Sequence, residues 1–216
     1  MKRIRIGIAA LALGLCLQVP EAAFLPAMQV QAAEKKSGLV KEKKKYFYYK
    51  KGKKVKNKWA SVKSKGKTQK YYFGKNGAAY TGVKKVKGKT YYFNKKGQMQ
   101  KDCWYKKAYY FGSNGAACTG IHLIKGKLYA FGKDGKQNAE QTKNLQQYSV
   151  QGADAAALKA LLGEPSSAEY MPSCMTWEGQ TGDDGILTYK NFTVFTFRYG
   201  DKEIVWQILE WQTLEA

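Results

Sequence analysis

Apolar and polar positions alternate in short bursts between residues 38 and 137, and the bursts recur. Tyr71-Tyr72-Phe73, Tyr91-Tyr92-Phe93 and Tyr109-Tyr110-Phe111 are near copies, with Tyr129-Ala130-Phe131 and Tyr46-Phe47-Tyr48 as looser ones. A Gly follows four residues after the third position of each: Gly52, Gly77, Gly97, Gly115 and Gly135, spaced 25, 20, 18 and 20 residues apart. The clearest copy runs from Gly82 to Gly97. In it Val83 to Val86 predicts a strand, Lys87-Gly88 a tight turn, Thr90 to Phe93 a return strand, and Asn94 to Gly97 a second turn. Lys125-Gly126 repeats the first turn, Lys106-Lys107 replaces it in a shorter copy, and the hairpin around Gly66 is longer. Two turns in a period near 20 residues predict stacked β-hairpins rather than one globular core.

Side chains alternate across a strand, so Tyr91 and Phe93 share one face and Thr90 and Tyr92 the other. The first of these faces is aromatic in every copy. Tyr71, Phe73, Tyr91, Phe93, Tyr109, Phe111, Tyr129 and Phe131 are therefore expected to form the core. The other face varies and is the candidate ligand side. It offers Tyr72, Tyr92 and Tyr110, with Trp59 and Trp104 nearby and Lys84, Lys85, Lys87 and Lys89 on the clearest copy.

After Gln137 the pattern changes. Residues 138–151 are rich in Gln and Asn and read as a linker, or as the start of a helix. Asp154 then caps a helix with Leu158, Leu161 and Leu162 on one face, stopped by Gly163 and Pro165. Strands are expected at 169–177, 186–189, 192–199 and 203–211, with Gly182-Asp183-Asp184-Gly185 as a turn. The expected fold class is mainly β: a β-hairpin repeat solenoid over residues 34–137, then a small α+β domain at 152–216, one helix on an antiparallel sheet.

Charge divides the chain the same way. The formal net charge is +22, of which residues 34–138 carry +26, residues 139–216 carry −6 and the first 33 residues +2. A one-signed excess of that size suits a polyanionic partner. Residues 1–33 read as a secretory signal: Lys2, Arg3 and Arg5, an apolar run from Ile8 to Val19, and a small-residue cleavage site near Ala32. Cys16 follows Leu15, which disfavours a lipoprotein signal. No second apolar run follows, so export without a transmembrane anchor, to a secreted or wall-associated location, is expected. Export permits disulfides. Cys103 and Cys118 bracket one repeat and are the candidate pair, or else two packed thiols. Cys174 is then left over.

The phrase from Gly82 to Gln100, with Thr81-Gly82 and Thr119-Gly120, resembles the cell-wall-binding repeat of Gram-positive surface proteins, the family of choline- and glucan-binding modules. The resemblance covers about 100 residues. It implies a β-hairpin solenoid that binds wall polymer. Choline-binding members cage a quaternary ammonium between two Trp. Here the first cage position is Val83, Cys103 or Ile121 and the second is Lys70, Thr90, Ala108 or Leu128, while Trp59 and Trp104 lack partner Trp residues. The lysines also repel a cation, so choline is not the expected ligand. The helix-closing phrase Leu161-Leu162-Gly163-Glu164-Pro165 is weakly similar to small envelope domains of the outer-membrane assembly lipoprotein and β-lactamase-inhibitor type. That implies a protein-interaction role.

The chemistry of catalysis is sparse. His122 is the single His, without a nucleophile motif around it. Asp183, Asp184 and Glu178 lack the spacing of a calcium loop, and the Cys and His are too scattered for zinc. No cofactor, metal or catalytic residue is expected. The sequence reads as a secreted, non-enzymatic envelope-binding protein whose partner is an anionic or neutral wall polymer, teichoic-acid-like or glycan, with a possible protein partner for the C-terminal part. The alternatives are an extracellular nucleic-acid binder, with bases on Tyr and phosphates on Lys, or an exported enzyme with a catalytic C-terminal domain.

Overall fold

Each tyrosine-rich phrase is the return strand of an antiparallel hairpin, and five hairpins follow one another. They are β1 (Gly38–Glu42) with β2 (Lys45–Lys50), extended by the two-residue β3 (Lys53–Lys54); then β4 (Lys58–Ser64) with β5 (Lys67–Phe73) and β6 (Gly82–Val86) with β7 (Lys89–Phe93). The last two are β8 (Cys103–Tyr105) with β9 (Tyr109–Phe111) and β10 (Gly120–Ile124) with β11 (Lys127–Phe131). The computed structural model describes residues 36–210 except Lys65, and the residues from Lys35 onward form one unit. The signal segment expected at 1–33 lies outside the described residues.

Tips that need left-handed backbone carry Lys-Gly: Lys87 and Gly88 have φ of 47° and 84°. At the shortened tip both Lys106 and Lys107 are left-handed, with φ of 51° and 54°, although neither is glycine. The first hairpin departs from the expected alignment. Gly38 pairs with Tyr49 as Gly82 pairs with Phe93, so Phe47-Tyr48-Tyr49 is the true copy, one residue later than the phrase suggests. Gly52 belongs to the β2–β3 turn instead of the inter-hairpin turn.

The hairpins are stitched by their connectors. The N–H groups of Ala79, Met99, Ala117 and Gln137 reach back to the carbonyls of Tyr46, Lys70, Thr90 and Ala108 in the preceding hairpin, each at 2.8 Å. The next residue, Tyr80, Gln100, Cys118 or Asn138, bonds to its own hairpin at 2.8–2.9 Å. Alternate N–H groups of one short segment therefore close two hairpins at once. The recurring turn glycines press on these connectors: a Cβ at Gly97 would stand 2.7 Å from the Ala79 Cβ, and one at Gly135 2.8 Å from the Ala117 Cβ.

Aromatic packing uses the same junctions. Phe73, Phe93 and Phe111 are fully buried and Phe131 nearly so. Each is covered by a ring of the preceding hairpin: Tyr48 on Phe73, Trp59 on Phe93, Tyr92 on Phe111 and Trp104 on Phe131, at 5.8–5.9 Å between centroids. Of the expected core tyrosines, Tyr71 is buried, whereas Tyr91, Tyr109 and Tyr129 are half-buried.

Hairpin 5 ends the series by meeting helices instead of a sixth hairpin. Residues 138–151, expected as a linker, hold α1 (Ala139–Tyr148), capped by the Asn138 side chain accepting from the Gln141 N–H at 3.0 Å. Gln146 Nε2 donates to the Leu128 carbonyl at 2.9 Å, the position that a following connector would occupy, and Thr142 Oγ1 accepts from the Ala130 N–H at 3.0 Å. Leu128 stands where other copies carry Lys70, Thr90 or Ala108, and Ala130 where they carry Tyr; both are buried because their neighbour is a helix. The capped helix α2 (Ala155–Leu162) follows as expected, closed by Gly163.

The chain ends in an antiparallel meander in the order β12 (Ser167–Trp177), β13 (Gln180–Thr188), β14 (Phe192–Tyr199) and β15 (Lys202–Glu210). Its Leu187, Val194 and Val205 share one core with Leu145, Leu158 and the hairpin 5 residues Leu123 and Leu128. The expected boundary at residue 152 therefore runs through a packed interior. Gly182 and Gly185, expected in a turn, lie within β13. A Cβ on Gly182 would strike the Arg198 carbonyl, and one on Gly185 the Thr196 hydroxyl. They are glycine for close approach, and the turn falls at Glu178-Gly179.

Four outcomes follow for stability. Phe93→Ala should cost about 3–5 kcal/mol in urea unfolding. Gly97→Ala should cost at least about 1 kcal/mol from its left-handed φ, and Lys107→Gly should gain about 1 kcal/mol. A fragment of residues 152–216 should show no cooperative melt by circular dichroism, because it loses Leu123, Leu128 and Leu145; a sharp melt would contradict the shared core.

Candidate functional site

The register decides which ring covers each junction. On the outgoing strands Leu39, Trp59, Val83 and Trp104 stand opposite Tyr48, Tyr72, Tyr92 and Tyr110. Where the outgoing residue is Trp, the indole covers the next Phe. Where it is aliphatic, the cross-strand Tyr moves over instead. Tyr92, expected to face ligand, is thus packed at a tilt on Tyr105 at 4.4 Å and on Phe111, and serves the fold. Tyr72 and Tyr110 lean edge-on or tilted against Trp59 and Trp104, each at 5.3 Å. Burial pushes the Tyr110 phenol pKa up.

The two Trp sites are built alike but differ in access. Trp59 meets Tyr91 at 4.9 Å and 71°, and Trp104 meets Tyr129 at 4.9 Å and 61°. The residue after Trp59 is Ala60, opposite Tyr71, whereas the residue after Trp104 is Tyr105, opposite Tyr109. The small Ala leaves a groove of about 280 Å³ lined by Trp59, Ala60, Ser61, Lys70, Tyr91, Met99 and Asn114. Lys70 stands where the choline cage would need a Trp. Comparing residue 60 with residue 105 was the sequence signal that the motif reading passed over.

Trp59 also borders a second, larger groove of about 700 Å³ between hairpins 1 and 2. Tyr48, Val55, Ala60 and Ser61 contribute to it, and its charge comes from Lys50, Lys53, Lys54, Lys56 and Lys58. The Lys50 ammonium lies 6.0 Å from the Tyr48 ring centre, and Lys54 lies 3.9 Å from that of Phe47. Glu42 organises one rim. It accepts from Lys36 at 2.8 Å, from the Tyr49 hydroxyl at 2.7 Å and from Lys54 at 3.2 Å. These bonds, the Lys36 one foremost, hold the Glu42 carboxyl down at about 2. The sequence singled out Lys84, Lys85, Lys87 and Lys89 instead. They stand exposed on β6, on its tip turn and on β7, and line neither groove.

The remaining candidates are placed apart. Cys103 and Cys118, left open between a disulfide and two packed thiols, are free thiols. Each is packed as a small apolar group, and burial pushes the Cys118 thiol up to about 11. Cys174 is a free, exposed thiol on β12. His122 bonds the Thr119 carbonyl at 3.1 Å, and burial lowers its pKa. Among the described residues no group of His, Cys, Asp or Glu is arranged to hold a metal, and no helix is long and apolar enough to cross a membrane.

Comparison with protein families and with curated proteins finds no match. Solved structures that resemble the chain include CbpJ from Streptococcus pneumoniae, at 16% identity and a TM-score of 0.41, covering 72% of this chain and 41% of that one. Choline-binding protein F from the same organism aligns at 21% identity and a TM-score of 0.40, over 72% and 39% of the two chains. The pneumococcal autolysin LytC aligns at 24% identity and 0.36, over 47% and 27%. The chain thus spans about two fifths of the first two.

The Glu42 carboxyl should titrate near 2 by NMR. Because its folded pKa is depressed, its contribution to stability is present above about pH 4.3, the unfolded Glu value. That contribution is lost as the pH falls toward 2. A midpoint near 4 would contradict the three-donor arrangement.

Proposed function

We propose that this protein is a secreted, non-enzymatic envelope-binding protein whose hairpin array holds an anionic or neutral wall polymer. The observation that carries the reading is the pair of grooves meeting at Trp59, one lined by five lysines and one by aromatic rings with Ser61 and Asn114. Lysines supply charge neutralisation along an anionic chain, and an aromatic wall with hydroxyl and amide neighbours suits a sugar face. Lys70 beside Trp59 opposes a quaternary ammonium by repulsion, so choline is not the ligand of this groove. The C-terminal helices and meander close the array through the shared core, and their acidic, exposed outer surface meets a protein or envelope component.

Purified walls, with and without their anionic polymer, test the reading with the full chain. Binding should fall steeply between low and physiological salt, since each neutralised phosphate releases counterions and added salt screens the charges. It should drop when anionic polymer is stripped, and choline at about millimolar concentration, a weak single-site range, should not elute the protein. Salt-insensitive binding or specific elution by choline would refute the proposal.

A further inference from the structure

Charge alone does not make a site, because lysines are spread over all five hairpins. The groove between hairpins 1 and 2 differs in two ways: it is concave, and it gathers five lysines. Of these, Lys53, Lys56 and Lys58 make no ion pair with any described residue, as is also true of Lys84, Lys85 and Lys87 on hairpin 3. Its aromatic rings are already engaged. Tyr48 stacks on Phe73 with 20° between planes and has the Lys50 ammonium near its ring, while Trp59 leans on Tyr72, Tyr91 and Phe93. Successive bases need successive open rings to stack on, whereas this groove offers two, Tyr48 and Trp59, each already in contact with rings of the fold. A chain of regularly spaced phosphates without bases needs only the ammonium groups.

We propose that this groove is a localised site for a base-free phosphodiester chain, a polyol phosphate or sugar phosphate, that spans Lys53, Lys56 and Lys58. The site rests on the polymer-binding reading and narrows its ligand class. The three unpaired lysines each take a phosphate oxygen. Lys54 stays tethered to Glu42, which keeps one rim in place while the chain binds.

Fluorescence anisotropy with labelled poly(glycerol phosphate) and the full chain tests the site. The K53Q/K56Q/K58Q variant should bind about tenfold more weakly or worse, and its salt slope should fall by about 2, at roughly 0.7 per phosphate contact. Arginine at the same three positions should keep binding within about threefold, because Arg also donates to phosphate. K84Q/K85Q/K87Q removes the same charge from hairpin 3 and should also stay within about threefold, because the localised contacts remain. Equal loss from both glutamine triples would overturn the groove in favour of diffuse charge. Tighter binding of an oligo-dT of equal charge would overturn the base-free assignment. Undiminished wall binding by K53Q/K56Q/K58Q would overturn the groove yet leave wall binding standing. Failure of the unaltered protein to bind walls would overturn both.

Discussion

A five-residue two-stranded hairpin is at best marginally stable alone in water, and the whole fold answers that constraint. The answer is the junction, where a connector N–H bonds back to the previous hairpin and a ring of that hairpin covers the next buried Phe. Each aromatic pair adds about 0.5–1.5 kcal/mol beyond area burial, but only if the neighbour is present. Stability therefore belongs to junctions and not to hairpins. The array also needs something to cover its last member. Gln146 and Thr142 of α1 provide that cover at hairpin 5, with aliphatic residues of the meander behind them.

The same packing explains where a ligand has room. At the junctions the rings are spent on the fold, so a free aromatic face survives only where a neighbour is small. Ala60 is that neighbour at Trp59, and Tyr105 removes the equivalent space at Trp104. Hairpin 1 contributes the extra strand β3, which brings Lys53 and Lys54 to the rim of the second groove. Both grooves thus gather around Trp59, on hairpins 1 to 3 and the turn that carries Asn114.

The repeat period, the tips and the four-stranded meander were legible because turn glycines and period-two aromatic phrases are local signals. The faces were not. Tyr91 and Tyr92 both end half-buried, since in a stack of narrow hairpins each strand face meets another hairpin. Leu128 and Ala130 looked like a variable ligand face, but their aliphatic character reflects contact with α1 and the sheet. The polar segment at 138–151 hid a helix because a short capping helix needs only Thr142 and Leu145 inside. Gly182 and Gly185 mimicked a turn because close approach of a neighbouring strand also demands glycine. Lys84 to Lys89 stood out for clarity of motif, whereas a groove depends on which lysines the stack gathers.

Amide hydrogen exchange of the full chain, with and without purified anionic wall polymer at physiological salt, tests most directly whether hairpins 1 to 3 form the binding surface. The account predicts slowed exchange across residues 48–61 and around Lys70, Tyr91, Met99 and Asn114, with β8 to β11 and the meander unchanged. Protection centred on β12 to β15, or spread evenly over all five hairpins, would contradict it.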